Sequence, residues 1–278
     1  MKRSDGTRIK AEDPFAELIP YVLDSRTAAQ NFSKHIFVTE SIDSYIQEKR
    51  AAGHKISYLH FFIAAYVRLL AERPQLNRFV INSKVYQRNN ICISMVVKRS
   101  FRENGEETTV KFEFTGQENI FEVAEIINNY IAEAKTDGIS TETDKLVTGL
   151  MSMPGFFKKF LVKGLLGLDK VNLLPASVIK VSPFHTSLFF THLKSIKTDY
   201  IYHHLYEVGT AGIFVALGKT AKIPVVVNDE LVIKKCVTVG YTVDERICDG
   251  VYFARSFRQL ERFLENPQLL EEGPKKES

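Results

Sequence analysis

The chain has 278 residues, of which 45% are hydrophobic and 25% are charged, and its formal net charge is +4. This composition is typical of a soluble globular protein, and without a concentrated basic stripe nucleic-acid binding is not expected. No apolar run reaches the ~18 residues of a membrane span, and the N-terminal MKRSDGTRIK lacks the apolar segment of a signal peptide, so a cytoplasmic location is predicted.

The cysteines do not indicate a disulfide framework or a metal site. Cys92, Cys236 and Cys248 are sparse and odd in number. The chain has no CxxC pair and no HExxH motif, so no zinc site is predicted. Each cysteine is interpreted as a small core residue.

Helical and strand patterns alternate along the chain, which is typical of a mixed α/β domain. Residues 56–72 carry apolar side chains around most of the helix circumference, so a buried helix is predicted there, ending before Pro74. Residues 108–115 alternate between apolar and polar side chains, which predicts a strand. Asn119 and Glu122 have the spacing of a capping box, which predicts a helix starting directly after Asn119.

A short amphipathic segment at residues 156–166 contains Lys158, Lys159 and Lys163. We interpret it as a surface helix with a solvated basic edge. Binding to a membrane surface is the alternative, because apolar residues beside lysines are also typical of interfacial helices.

The C-terminal part of the chain is rich in predicted strands, which lie around residues 187–192, 212–217, 223–227 and 231–241. Asn228, Asp229 and Glu230 separate two of these runs and predict a hairpin turn. A final helix is predicted from Asp249 to about Glu265. Its predicted inward residues are Ala254, Phe257, Leu260, Phe263 and Leu264.

The stretch TVDERICDGVYFARSFRQLERFLENPQLL resembles the end of the catalytic domain in acyltransferases of 2-oxo acid dehydrogenase complexes, and the end of chloramphenicol acetyltransferase. Those families carry His-x-x-x-Asp-Gly, whereas here the motif starts at Glu245 and ends at Asp249 and Gly250. Three further landmarks, KISYLHFFIAAYVRLLAERPQLNRFV, SLFFTHLKS and PVVVNDELVIKK, resemble the family in the same order. The resemblance covers about residues 14–271 and is loose over 98–170.

The resemblance implies an α/β fold of the chloramphenicol acetyltransferase type, a two-layer mixed sheet with helices. It predicts an acyltransferase-like catalytic domain at residues 14–271, between flexible segments at 1–13 and 272–278. It also implies a homotrimer whose active sites lie between subunits. No part of the sequence resembles a lipoyl or subunit-binding domain, so a free-standing catalytic domain is expected.

The resemblance also assigns roles to individual residues. In the family, a histidine takes the proton from a thiol or hydroxyl, and a Ser or Thr hydroxyl stabilises the oxyanion formed on the acyl group. Thr191 is the expected oxyanion donor. Asp249, Gly250 and Arg246 belong to the motif and are expected to support the site, with Asp249 paired to Arg26. Asp249 could equally serve as the cap of the final helix.

The identity of the base is the open question. Glu245 stands where the family has histidine. Ordinary pKa values are about 4.3 for Glu, 6.5 for His and 8.5 for a thiol. Transfer of a thiol proton to Glu is therefore less favourable than transfer to His by roughly 3 kcal/mol. Glu245 could instead pair with a basic side chain and do no chemistry. His203 and His204 are the alternative bases, while His192 occupies the family's Asn position and His185 lies just before the same strand.

Two functions are therefore predicted. The first is an acyltransferase that moves an acyl group between CoA, or another thioester, and a small thiol, amine or alcohol. The second is an inactive relative that binds CoA or serves in assembly or regulation. CoA or acyl-CoA is the expected co-substrate, with no covalently bound cofactor and no metal. Binding of a membrane or nucleic acid through the lysines near residue 160 is a third hypothesis.

Overall fold

The computed structural model describes residues 3–10, 13–98, 107–135, 148–149 and 151–274. The segments predicted as flexible, 1–13 and 272–278, therefore fall partly outside the described residues, at positions 1, 2, 11, 12 and 275–278. Within the described part, no helix combines the length and apolarity that a membrane crossing requires.

The helices are α1 (Pro14–Val22), α2 (Glu40–Ala51), α3 (Tyr58–Glu72), α4 (Ile120–Lys135), α5 (Gly155–Lys170), α6 (Ala176–Val181) and α7 (Gly250–Glu265). The strands are β1 (Gly6–Arg8), β2 (Gln30–Val38), β3 (Arg78–Ile81), β4 (Lys84–Arg88), β5 (Ile91–Lys98), β6 (Glu107–Phe114), β7 (Leu188–Thr191), β8 (Ile213–Val227) and β9 (Glu230–Asp244).

The strands form a large mixed sheet and a small antiparallel one. The large sheet has six strands in the order β2-β9-β8-β7-β5-β6, and the small sheet has three in the order β1-β4-β3. Strand β7 is parallel to both β5 and β8, whereas the other pairs are antiparallel. Helices α2, α3, α4 and α7 cover one face of the large sheet and share its main hydrophobic core. The predicted two-layer mixed α/β architecture is thereby confirmed.

Two core helices follow directly from local sequence. All twelve residues from Leu59 to Leu70 of α3 are buried, as apolar side chains around the whole helix predict. The capping box of α4 is also confirmed. The Asn119 side chain accepts hydrogen bonds from the amides of Phe121 and Glu122, at 2.9 and 3.0 Å, and the Glu122 carboxylate accepts one from the Asn119 amide at 2.8 Å.

A long hairpin, β8 and β9, carries the chain to the motif. Asn228 and Asp229 have φ angles of 51° and 63°, the left-handed conformation that a two-residue hairpin turn of type I′ requires. The predicted turn is confirmed, although Glu230 already belongs to β9. The two strands predicted before the turn form one strand, interrupted by a register shift between Leu217 and Thr220.

Part of the N-terminal segment, which the sequence predicts to be flexible, packs against the domain. Strand β1 pairs with β4, and Arg3 is only 4% exposed. The Arg3 guanidinium lies 2.8 Å from both the Asp5 and the Asp169 carboxylates. These two carboxylates compensate the buried charge and tie the segment to the end of α5.

The inward face of α7 agrees with the prediction except at one position. Leu260, Phe263 and Leu264 are buried, whereas Ala254 is exposed and Ser256 is only 2% exposed. At ~100° per residue, Ala254 lies about 120° from Leu260 around the helix, while Ser256 lies about 40° away. Helical periodicity therefore decides the face, and the Ser256 hydroxyl is accommodated by donating to the Tyr252 carbonyl at 2.7 Å.

Asp249 caps α7, and replacing it is expected to destabilise the chain. Its carboxylate accepts hydrogen bonds from the amides of Val251 and Tyr252, at 2.8 and 2.9 Å. Asp249→Ala removes this acceptor, so the free energy of unfolding should fall by about 1 kcal/mol. Thermal unfolding measures the change, with Asp249→Asn as the control that keeps a cap oxygen. An unchanged melting temperature of the alanine variant would contradict the capping role.

Candidate active site

The turn between β9 and α7 is fixed by a buried ion pair. The Nε and Nη2 atoms of Arg246 each donate to one carboxylate oxygen of Asp244, both at 2.8 Å. A third nitrogen, Nη1, donates to the Leu23 carbonyl at 2.9 Å. The Glu245 amide donates to the Ala29 carbonyl, also at 2.9 Å. The bidentate fork and the backbone bond together hold the segment that carries Glu245 in one position.

Arg26 binds backbone carbonyls that belong to other parts of the chain. Its Nη1 donates to the carbonyls of Tyr206 and Glu207, at 3.3 and 3.0 Å, and its Nη2 donates to the Val80 carbonyl at 3.1 Å. The Glu207 carboxylate in turn accepts a hydrogen bond from the Arg26 amide at 3.3 Å. Arg26 thereby fastens the loop after β7, which carries the two candidate histidines, to the domain.

The charge partner of Arg26 differs from the prediction. Burial lowers the pKa of Arg26 to about 10, while the negative charge of Asp244 opposes this shift and the positive charge of Arg246 adds to it. Asp249, the predicted partner, caps α7 instead. Asp244 therefore serves two buried guanidinium groups. The sequence signal for this residue is an acidic side chain two positions before Arg246.

Glu245 lies at the edge of a cavity. Its side chain is exposed, and one of its carboxylate oxygens accepts a hydrogen bond from the Asn31 side chain at 2.7 Å. The adjoining cavity has a volume of about 370 Å³, which is within the size range of small-molecule sites. Residues around it include Phe15, Ala16 and Ile19 of α1, together with Arg78, Glu245 and Cys248.

The two histidines of the loop after β7 point in different directions, as adjacent residues of an extended segment should. The half-buried His203 stacks on Phe214 with ring centroids 4.4 Å apart, and its Nδ1 lies 2.8 Å from the Ile201 carbonyl oxygen. That oxygen only accepts hydrogen bonds, so Nδ1 is the donor in this contact. His204 is exposed, and its Nδ1 lies 3.4 Å from the Gln30 side chain.

Thr191 is separated from Glu245 both along the strands and across the sheet. It ends β7, and the strand pairing aligns it with Ala216 of β8, which is aligned in turn with Gly240 of β9. Glu245 follows Gly240 by five residues, or ~16 Å of extended chain, and β9 is two strands, ~10 Å, away from β7. One chain therefore holds Thr191 and Glu245 about 19 Å apart. His203 lies between their levels along the strands, because it stacks on Phe214, which is paired with Phe189 of β7.

His192 follows Thr191 and is held in its neutral form. Burial, together with the positive charges of Lys194 and His60, lowers the pKa of His192 to about 4. Its Nε2 is buried without a hydrogen-bond partner among the described residues, as is Nδ1 of the nearby His60. Apart from the position of His192 directly after Thr191, the sequence contains no signal that indicates a functional role for this residue.

Replacing His192 is expected to make the chain less sensitive to acid. Because its pKa is about 4 in the folded chain and about 6.5 when unfolded, the unfolded chain binds more protons between these values. The stability is thus full above about pH 6.5 and is lost toward pH 4. Between pH 7 and 4.5, urea unfolding of the wild type should lose about 2–3 kcal/mol more than that of His192→Asn. Parallel losses in both proteins would contradict this, and His204→Asn, at an exposed ring, is the control.

His185 has a structural environment. It is 3% exposed, and its ring nitrogens lie 2.8 Å from the Ser182 hydroxyl and 3.2 Å from the Asp169 carboxylate. Burial lowers the pKa of His185, against the opposing effect of Asp169. With both nitrogens engaged, the ring stabilises the junction between α5 and the sheet rather than offering a free base.

Sequence comparison links the chain to acyltransferases. The family model for the catalytic domain of 2-oxoacid dehydrogenases acyltransferase matches residues 209–271, which include the hairpin and the motif from Glu245 to Gly250. Over 86% of its length the chain is 24% identical to the dihydrolipoyllysine-residue acetyltransferase component of the pyruvate dehydrogenase complex of Rickettsia prowazekii. The match covers 47% of that protein, so the chain spans about half the length of the curated relatives it matches.

Structural comparison identifies the fold. A probable dihydrolipoamide acetyltransferase from Listeria monocytogenes superimposes with a TM-score of 0.60 at 14% identity, covering 93% of this chain and 94% of that one. Chloramphenicol acetyltransferase superimposes with a TM-score of 0.54 at 13% identity, covering 93% and 99%. The chain therefore has the chloramphenicol acetyltransferase-like fold that the sequence resemblance implied.

Proposed function

We propose that this chain, a relative of the catalytic domain of 2-oxoacid dehydrogenase acyltransferases, is itself an acyltransferase. Its acyl donor is CoA or another thioester, and its acceptor is a small thiol, with amines and alcohols as further candidates. The observation that carries the proposal is the placement of Glu245. Its carboxylate stands on a rigid turn beside a cavity, within the stretch that matches the family model.

The proposed reaction is direct transfer. The Glu245 carboxylate takes the proton of the acceptor S–H, and the thiolate attacks the carbonyl carbon of the acyl thioester. The Thr191 hydroxyl donates a hydrogen bond to the resulting oxyanion. When the tetrahedral intermediate collapses, the bond between carbon and the CoA sulfur breaks, and the leaving thiolate takes the proton back from Glu245. His203 is the alternative base.

The separation of Thr191 from Glu245 supports a site shared between subunits. Since one chain holds them about 19 Å apart, the proposal requires Glu245 of one chain and Thr191 of its neighbour. Apolar residues near the hairpin tip, Val226 and Leu231, are 70% and 74% exposed. A neighbouring subunit would bury such side chains, and it would also exclude water from the Glu245 carboxylate.

The chain is therefore expected to form a homotrimer. Its mass in sedimentation equilibrium at micromolar concentration should be three times the 31.7 kDa of the single chain. The physical reason is that the exposed apolar surface of the hairpin is covered only on association. A stable monomer at this concentration would contradict both the trimer and the shared site.

An inactive relative is the second candidate function. The replacement of the family's histidine by Glu245, and its exposure in the single chain, favour this alternative. Incubation of the chain with acetyl-CoA and dihydrolipoamide distinguishes the two, because an acyltransferase forms a new thioester and releases CoA. Binding of CoA in calorimetry without turnover, for both short and long acyl groups, would establish the inactive relative instead.

A further inference from the structure

Helix α5 turns an apolar face toward solvent. Phe156, Phe157 and Phe160 are 73%, 51% and 77% exposed. The only buried residue of the helix is Asp169, near its C-terminal end. The amphipathic pattern in the sequence would ordinarily place such a face against the core, but none of the described residues buries it.

The exposed lysines of α5 lie along one side of the helix, next to its phenylalanines. At ~100° per residue, Lys159, Lys163 and Lys170 fall on one strip, which borders the face formed by Phe156 and Phe160. The helix contains one acidic residue, Asp169, and its carboxylate faces inward. The solvent side of α5 therefore presents phenylalanine rings along a basic edge, without a compensating negative charge from the helix itself.

Among the described residues, the ion pairs of α5 with the rest of the chain lie at its C-terminal end. The Asp169 carboxylate lies 2.8 Å from the Arg3 guanidinium and 3.2 Å from the His185 ring. Residues flanking the helix extend the apolar surface, since Met151 and Leu173 are 53% and 57% exposed. The buried network anchors the helix and leaves its phenylalanine face free to bind.

Intrinsic propensity alone stabilises this helix poorly. It has 16 residues, with glycines at 164 and 167, and each interior glycine costs about 1 kcal/mol relative to alanine. Isolated helices shorter than about 12–15 residues are marginal in water even with favourable sequences, and this helix is only slightly longer. Covering the phenylalanine face would supply the missing stabilisation.

We propose that α5 is an interfacial helix that binds the surface of an anionic phospholipid membrane. Phenylalanines that enter the headgroup region, with lysines along the edge of the same face, are the features of helices that lie in the plane of a bilayer. The charge selects the occupant, because the exposed lysines complement anionic headgroups. The helix would lie flat on the membrane while the acyltransferase fold stays in water.

Vesicle co-sedimentation tests the proposal with the full chain. Vesicles of phosphatidylcholine mixed with phosphatidylglycerol should bind the wild type, vesicles of phosphatidylcholine alone should bind it much less, and salt should weaken the binding because it screens the lysines. Phe156→Ser combined with Phe160→Ser should reduce binding by about tenfold or more. Lys159→Glu combined with Lys163→Glu should reduce it by a similar factor on the anionic vesicles.

A control outside the proposed subunit contact uses the end of α1, where Tyr21 and Val22 are 59% and 66% exposed. Tyr21→Ser combined with Val22→Ser should leave vesicle binding unchanged. Failure of the wild type to bind anionic vesicles would overturn the proposal. So would an equal loss of binding in the control, or a lower sedimenting mass of the phenylalanine variant, since α5 would then be a contact between copies of the chain. None of these readouts depends on acyl transfer.

Discussion

Glu245→Gln is expected to lower the rate of acyl transfer from acetyl-CoA to dihydrolipoamide by about a hundredfold or more. Glutamine keeps the shape of the side chain, and its carbonyl oxygen can still accept the hydrogen bond from Asn31. It cannot take a proton from the acceptor thiol, so the loss would report the basic function of the carboxylate. The rate of CoA release, corrected for hydrolysis without acceptor, is the measurement.

Companion variants separate the candidate bases. His203→Ala and His204→Ala should retain most of the activity if Glu245 is the base. If Glu245→Gln remains active and a histidine variant loses the rate, the assignment of the base is wrong. If the wild type shows no turnover and Glu245→His gains it, the chain is an inactive relative that keeps the rest of the site. Sedimentation of each variant confirms that its assembly is unchanged.

The largest loss of stability is expected for Asp244→Ala. The side chains of Asp244 and Arg246 are 1% and 4% exposed, and Asp244 is also the negative charge that favours the protonated form of the buried Arg26. Its removal leaves two buried guanidinium groups that repel each other. Breaking one buried pair in this way typically costs 3–5 kcal/mol, and urea unfolding at neutral pH measures the loss.

Two controls make this prediction specific. Asp244→Leu combined with Arg246→Leu removes both members of the ion pair, so it should cost less than the sum of the two single leucine changes. Asp249→Ala, at the exposed acidic residue of the same motif, should cost only about 1 kcal/mol. Equal losses for Asp244→Ala and Asp249→Ala would show that the buried charge is compensated elsewhere.

Elements whose causes are local could be predicted from the sequence. The capping box at Asn119, the alternation that forms β6, the hairpin turn at Asn228 and the cap at Asp249 each depend on residues within a few positions of one another. In such segments the side-chain pattern and the backbone conformation that it favours are parts of the same short stretch. The resemblance to a known fold supplied the arrangement of these elements.

Features that depend on distant partners could not be predicted in this way. The carbonyls that bind Arg26 belong to residues 54 and about 180 positions further along the chain, so no local pattern distinguishes Asp244 from Asp249 as its counter-charge. Periodicity revealed the apolar face of α5 but gave no information on what covers it. The distance between Thr191 and Glu245 likewise follows from strand order, which local sequence does not encode.

The strand order also has a consequence for biosynthesis. Gln30 of β2 pairs with Asp244 of β9, 214 positions later. At a synthesis rate of about 5–20 residues per second, β2 waits roughly 10–40 seconds for its partner strand to be made. Throughout this interval its backbone is unpaired, and the side chains of Phe32, Ile36 and Phe37 are available for wrong association. Refolding of the purified chain should therefore give its best yield at low protein concentration, where unpaired β2 strands of different chains meet less often.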